Sequence, residues 1–127
     1  MPHKKILIIE DDISLSETIS MALRAKGYEI FEYSDSDGAL DIASDFLPDL
    51  ILMDYLLPSW NGGELCSTIR AVDILKNVPL IIMSAYARLL FSIGDYGCDA
   101  VLQKPFELQK LETVINKLIN RSEKKLP

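Results

Sequence analysis

Four short apolar runs, at 6–9, 50–53, 80–83 and 100–102, carry no polar alternation. Strands covered by helices on both faces read this way, because neither face meets water. A fifth segment, 29–33, alternates polar with apolar residues and predicts an edge strand. Between the runs the apolar spacing becomes helical: Leu15, Ile19, Ala22 and Leu23; then Ala39, Leu40 and Ala43; then Leu65, Ile69 and Val72. The clearest stripe is the last, with Leu108, Leu111, Val114, Ile115, Leu118 and Ile119 on one side. Segment 88–96 is ambiguous, because Gly94 weakens any helix there. Gly27 stands where a glycine closes the first helix, and Asp12 where a carboxylate caps its start. Ser34 and Asp37 have capping-box spacing ahead of the second helix.

Five strands alternating with five helices predict a parallel sheet, since right-handed crossovers lay helices on both of its faces. The expected fold class is α/β: a doubly wound, five-stranded parallel sheet with five helices. At 127 residues and 49% hydrophobic, the chain matches a single domain with its own core. No internal repeat or low-complexity stretch divides it. The expected boundaries are 1–121 for the domain and 122–127 for a polar tail or the start of a linker.

A net charge of -6 argues against a surface for nucleic acid or an anionic membrane, which need a positive excess. The longest apolar runs are four or five residues, against the roughly 20 that span a bilayer. "MPHKK" leads into a strand and not into a signal peptide, so a soluble, cytoplasmic protein is expected. Cys66 and Cys98 lack CxxC or Cys/His metal spacing and read as reduced packing residues. His3, the only histidine, lies in the N-terminus, so no histidine is placed to serve a Ser-His or Cys-His mechanism.

The chemistry collects where the apolar runs end. The first strand delivers Glu10 and Asp11, the third Asp54, the fourth Ser84 and the fifth Lys104. In an open α/β sheet these carboxyl ends border the crevice where ligands bind. Like charges ~4 Å apart repel by about 4 kcal/mol at an effective dielectric of ~20, so three carboxylates around one pocket call for a cation. An all-oxygen set without His or Cys selects a hard ion. An open site with few carboxylates suits Mg²⁺, whose coordination is completed by water and substrate phosphate, whereas Ca²⁺ takes more oxygens. Lys104 adds a point charge for a phosphate oxygen, and the Ser84 hydroxyl can donate to another. A carboxylate nucleophile beside Mg²⁺ and Lys is sufficient machinery for accepting a phosphoryl group, giving an aspartyl phosphate.

The chain resembles the receiver domains of two-component response regulators along nearly its whole length. "LIIEDD" is similar to the family's acidic first-strand end, and "DLILMDYLLPSWNGGEL" to its phosphoacceptor strand and following loop. "IIMSA" resembles its fourth strand, and "GCDAVLQKPFEL" its Lys-Pro segment. The resemblance implies a flavodoxin-like fold with strand order 2-1-3-4-5, Asp54 as phosphoacceptor, Ser84 as switch hydroxyl and Lys104 as the phosphoryl-binding cation. It implies Mg²⁺ held by Asp11, Asp54 and the Leu56 backbone carbonyl, with Glu10 acting through water, and a cis Lys104-Pro105 bond. Pro58 and Gly62 match the turn after the acceptor. Two positions depart from the family pattern: Val101 replaces the usual aromatic readout residue, leaving Tyr86 as a candidate substitute, and Leu56 is apolar where a polar side chain assists water attack. Slow self-hydrolysis is therefore expected.

The function so implied is a signalling switch and not an enzyme. A sensor histidine kinase or phosphotransfer protein supplies the phosphoryl group, and a changed surface regulates an output protein. The expected surface is the fourth helix, fifth strand and fifth helix, with Tyr96, Asp99, Gln103 and Lys110 as candidates. With no DNA-binding domain in these residues, output by protein contact, by a homodimer formed on phosphorylation or by relay is expected, without direct nucleic-acid or membrane contact. Trp60, six residues past Asp54, would report the change. Three other readings compete with it. A haloacid-dehalogenase-type hydrolase needs a second aspartate where Leu56 stands. A flavodoxin would need its first loop to cradle a phosphate that Glu10 and Asp11 repel. A pseudo-receiver serving only as an interaction module usually lacks one of the acceptor, acidic pair or lysine that are all present here.

Overall fold

Each apolar run becomes a strand, and each helical spacing a helix. In this computed structural model, which describes residues 3–93 and 97–124, the order is β1 (Lys5–Ile9), α1 (Ile13–Ala25), β2 (Glu29–Tyr33), α2 (Ala39–Phe46), β3 (Leu50–Asp54), α3 (Gly62–Arg70), β4 (Leu80–Ser84), α4 (Ala87–Ile93), β5 (Ala100–Gln103) and α5 (Leu108–Lys124). The strands form one parallel sheet in the order β2-β1-β3-β4-β5. This is the expected doubly wound architecture, with alternating β2 at an edge. Helix α5 runs three residues beyond Arg121.

Alternation along the central strands divides the core into two layers. Ile6, Ile8, Leu50, Leu52, Ile81 and Met83 pack with Ile19 and Leu23 of α1 and with Leu111, Ile115, Leu118 and Ile119 of α5. Leu7, Ile9, Ile51, Met53, Leu80 and Ile82 point the other way, onto Ala39 and Ala43 of α2, Leu65, Cys66 and Ile69 of α3, and Leu90 of α4. Every residue of β3 and β4 is buried. Burying each such Leu or Ile side chain is worth about 1.5–3 kcal/mol, which is why these runs tolerate no polar residue until they end. Cys66 and Cys98 lie in this second layer, with no disulfide among the described residues.

Asp12 caps α1 by accepting the Leu15 N–H, and Gly27 follows its end at φ 95°, both as expected. The expected capping box of Ser34 and Asp37 does not form. α2 starts at Ala39 behind a left-handed Gly38, with no side-chain cap, because the neighbouring Asp35 and Ser36 are bonded elsewhere. Val72 falls beyond α3, whose last turn closes at Ala71, although it still packs on the second layer. The ambiguous 88–96 segment is helical through Ile93, and its remaining residues, 94–96, lie outside the described part. No helix among the described residues is long and apolar enough to cross a membrane.

Asp99, expected on an output surface, is exposed and also ties elements together ahead of β5. It accepts the Leu80 N–H and an Arg70 guanidinium N–H, each at 2.8 Å, and an Arg121 N–H at 3.0 Å. The Gln103 side chain bonds the Ala87 N–H and the Ala85 carbonyl, Lys110 is exposed, and Tyr96 lies outside the described residues.

Candidate functional site

The parallel register carries four strand ends to one edge of the sheet. Ile9 pairs with Met53, so Glu10 leaves β1 level with Asp54 at the end of β3. Ser84 pairs with Gln103, and the next residue, Lys104, donates its N–H to the Ser84 carbonyl at 2.8 Å. The Lys104-Pro105 peptide is cis, as the resemblance implies.

One carboxylate oxygen each from Glu10, Asp11 and Asp54 lies within 4.8 Å of the others. Glu10 is 1% exposed and Asp54 7%, whereas Asp11 faces solvent. The Lys104 ammonium stands between the buried pair, 3.0 Å from Glu10 Oε2 and 3.0 Å from Asp54 Oδ1. Glu10 Oε1 also accepts the Asp12 N–H at 3.1 Å, so the helix cap and the site share a turn. A positive partner expected from outside the chain is thus supplied in part by the chain itself.

Burial pushes the Glu10 carboxyl above its ordinary pKa, against the Lys104 hydrogen bond and the Asp12 N–H, which favour ionisation. Burial also pushes Asp54 up, opposed by Lys104 and reinforced by the Asp11 charge. For Lys104, burial works against the ammonium, but its bonds to Glu10 and Asp54 prevail and hold its pKa above the usual value. With all three acids ionised, one lysine leaves an excess of two negative charges, which a single divalent cation balances. The donors are all hard oxygens at an open edge, so the residues fit a Mg²⁺-type ion.

Ser84 is buried, and its hydroxyl oxygen accepts the Tyr86 N–H at 2.9 Å. The Tyr86 ring is 61% exposed, Val101 is half-buried, and the Leu56 side chain projects into solvent, 62% exposed. Gly62 lies against the acceptor strand. An added Cβ would come within 2.7 Å of the Asp54 carbonyl oxygen, so only glycine fits. Pro58 is exposed and Trp60 half-buried in the same loop.

The sequence reading missed the hydrogen bonds of Asp35 and Ser36 to Ser59 and Trp60. No local pattern announces them, because the partners are 24 positions apart. The one local signal in this segment is the capping-box spacing of Ser34 and Asp37.

Residues 6–116 match the family model for the response regulator receiver domain. The DNA-binding response regulator MtrA of Mycobacterium tuberculosis is 30% identical over 123 residues, covering 95% of this chain and 53% of MtrA. The chain spans about half the length of the curated relatives it matches. A CheY-like receiver domain protein from Methanospirillum hungatei superposes with a TM-score of 0.89 at 26% identity, covering 98% of this chain and 100% of that one. The receiver domain of sensor histidine kinase PA1611 from Pseudomonas aeruginosa, solved with a magnesium ion coordinated in its active-site cleft, gives 0.83 at 29% identity, covering 94% and 99%. By the extent of the family match and the shared fold, this chain belongs to the response regulator receiver domain family.

Proposed function

We propose that Asp54 is the phosphoacceptor of a Mg²⁺-dependent signalling switch, with residues 1–121 as the receiver unit and α5 continuing past it to Lys124. The observation that carries the reading is the Lys104 ammonium 3.0 Å from Asp54, in a cluster whose three acidic oxygens lie within 4.8 Å. Asp11, Asp54 and the Leu56 carbonyl would hold the ion, with Glu10 bonded through water. The bound ion would neutralise charge developing on the phosphoryl oxygens.

The chain's own groups do the rest. An ionised Asp54 oxygen attacks the phosphorus of a phosphohistidine on a sensor kinase or phosphotransfer protein. The new O–P bond replaces the P–N bond, and the imidazole leaves with the electron pair and takes up a proton. Lys104 is placed to move from the Asp54 oxygen to a phosphoryl oxygen, and Ser84 to donate to another. A phosphoryl group adds roughly -1.5 to -2 charge and three acceptor oxygens, enough to bias a two-state arrangement of the β4–α4 connection. The readout goes to an output protein or to a second copy of the chain. With Val101 of β5, packed on the layer of α3 and α4, in place of an aromatic, Tyr86 is the ring nearest the switch hydroxyl along the chain.

The test is exposure to acetyl phosphate with and without Mg²⁺, read by intact mass. The wild type is expected to gain one phosphoryl group only with Mg²⁺, and Asp54→Asn none. Labelling that persists in Asp54→Asn, or an unlabelled wild type whose surface binds partners regardless, favours a non-phosphorylated interaction module.

A further inference from the structure

Two parts of the site are tied to one short segment, 33–38. At its start the Tyr33 carbonyl accepts the Glu10 N–H at 2.9 Å. Further along, Asp35 and Ser36 reach across to loop 55–61, which follows Asp54. Asp35 Oδ1 accepts the Ser59 N–H at 3.1 Å and Oδ2 the Ser59 hydroxyl at 3.0 Å, while the fully buried Ser36 Oγ accepts the Trp60 N–H at 2.7 Å.

The segment is itself held in shape. The Asp37 N–H donates to Asp35 Oδ1 at 3.3 Å, and the Tyr33 hydroxyl donates to the Asp37 carbonyl at 2.7 Å. Gly38 takes φ 83°, and an added Cβ there would stand 2.5 Å from the Tyr33 hydroxyl oxygen. Loop 55–61 is anchored at its ends by the Tyr55 N–H on the Met83 carbonyl, 2.9 Å, and the Gly62 N–H on the Tyr55 carbonyl, 2.7 Å. The bonds at Ser59 and Trp60 hold its middle.

We propose that Asp35 and Ser36 are positioning residues for the metal and phosphoryl site: segment 33–38 is a strut that fixes the loop carrying the Leu56 carbonyl against the strand end carrying Glu10. The inference rests on the functional reading above, which gives that carbonyl a ligand's role. Neither residue touches the ion or the phosphoryl group. Each acts through the backbone of loop 55–61, as groups behind a ligand shell do when they set its geometry.

Two measurements test it. Amide hydrogen exchange on the wild type is expected to show the Trp60 N–H protected, and Ser36→Ala to release it selectively. An unprotected Trp60 amide in the wild type overturns the strut. Calorimetric titration with MgCl₂ then compares the wild type with Ser36→Ala, Asp35→Ala and Asp35→Asn. Affinity is expected to fall about tenfold in the two alanine variants, the lower end of what such supporting groups contribute. Asp35→Asn retains an acceptor for the Ser59 N–H and is expected to lose less. A merely structural role would lower Tm and leave Mg²⁺ affinity alone, and that result overturns the proposal, as does a loss in Asp35→Asn as large as in Asp35→Ala. Ser59→Ala, at an exposed position, keeps the comparison open if another variant does not fold. A wild type that binds no Mg²⁺ overturns the functional reading and the strut's role with it. Binding that is intact in the wild type and unchanged in every variant overturns the strut alone.

Discussion

At the scale of single residues, the site is governed by two buried acids sharing one lysine. Removing the Lys104 head by Lys104→Met leaves Glu10 and Asp54 facing each other in a poorly solvated place. Breaking a fully buried ion pair costs about 3–5 kcal/mol. The Lys104 side chain keeps 22% of its exposure, so about 2 kcal/mol is expected at neutral pH by urea unfolding, with part of it recovered on adding Mg²⁺. The pH dependence has a definite sign. Glu10 and Asp54 have folded pKa values above the ordinary 4.5 and 3.8, so the folded state holds more protons than the unfolded chain just above that range. Their contribution to stability is therefore greatest at low pH and falls as pH rises through the folded values. Mg²⁺ in the proposed site would run the other way, because its ligands must be deprotonated, and its stabilising effect would grow over the same window. Thermal melts with EDTA and with Mg²⁺ across this range are expected to diverge as pH rises; parallel curves would contradict the account. Glu10, Asp54 and Ser84 were legible because each follows an apolar run directly, and Asp11 and Lys104 because each stands one residue further on. That Lys104 satisfies the acids themselves was not, since a sequence gives the order of charges and not which of them face one another.

At the scale of elements, loops and caps do what the strands cannot. The strand ends place acids at the edge, but loop 55–61 must bring its backbone close to them, and Gly62 permits this. Gly62→Ala puts a methyl group against the Asp54 backbone and is expected to cost about 1–3 kcal/mol, measurable as a fall in urea midpoint with unchanged slope. Asp12→Ala removes the α1 cap and is expected to cost about 1 kcal/mol. Because Asp12 also donates its backbone N–H to Glu10, the substitution keeps that bond and is expected to spare labelling by acetyl phosphate. Capping signals were read correctly at Asp12 and Gly27, where cap and helix are adjacent in sequence. They failed at Ser34 and Asp37, where a partner on a distant loop claims the intervening residues.

At the scale of the whole molecule, the two-layer core follows from period-two alternation within runs that are apolar on both faces, so topology was the most legible feature of all. Leu52→Ala, in the middle of the central strand, is expected to cost about 2–5 kcal/mol by chemical denaturation. Less visible was Asp99, whose three donors come from α3, β4 and α5. Asp99→Ala strands the Leu80 N–H, while Arg70 keeps its bonds to the Gly97, Lys76 and Val78 carbonyls and Arg121 turns to solvent, and is expected to cost about 1–3 kcal/mol while leaving Mg²⁺ affinity unchanged. The knot it forms lies at the amino-terminal margin of the sheet, opposite the carboxylates. Asp99 and the acidic cluster thus stand at opposite ends of the strands, and a substitution at one leaves the contacts of the other in place.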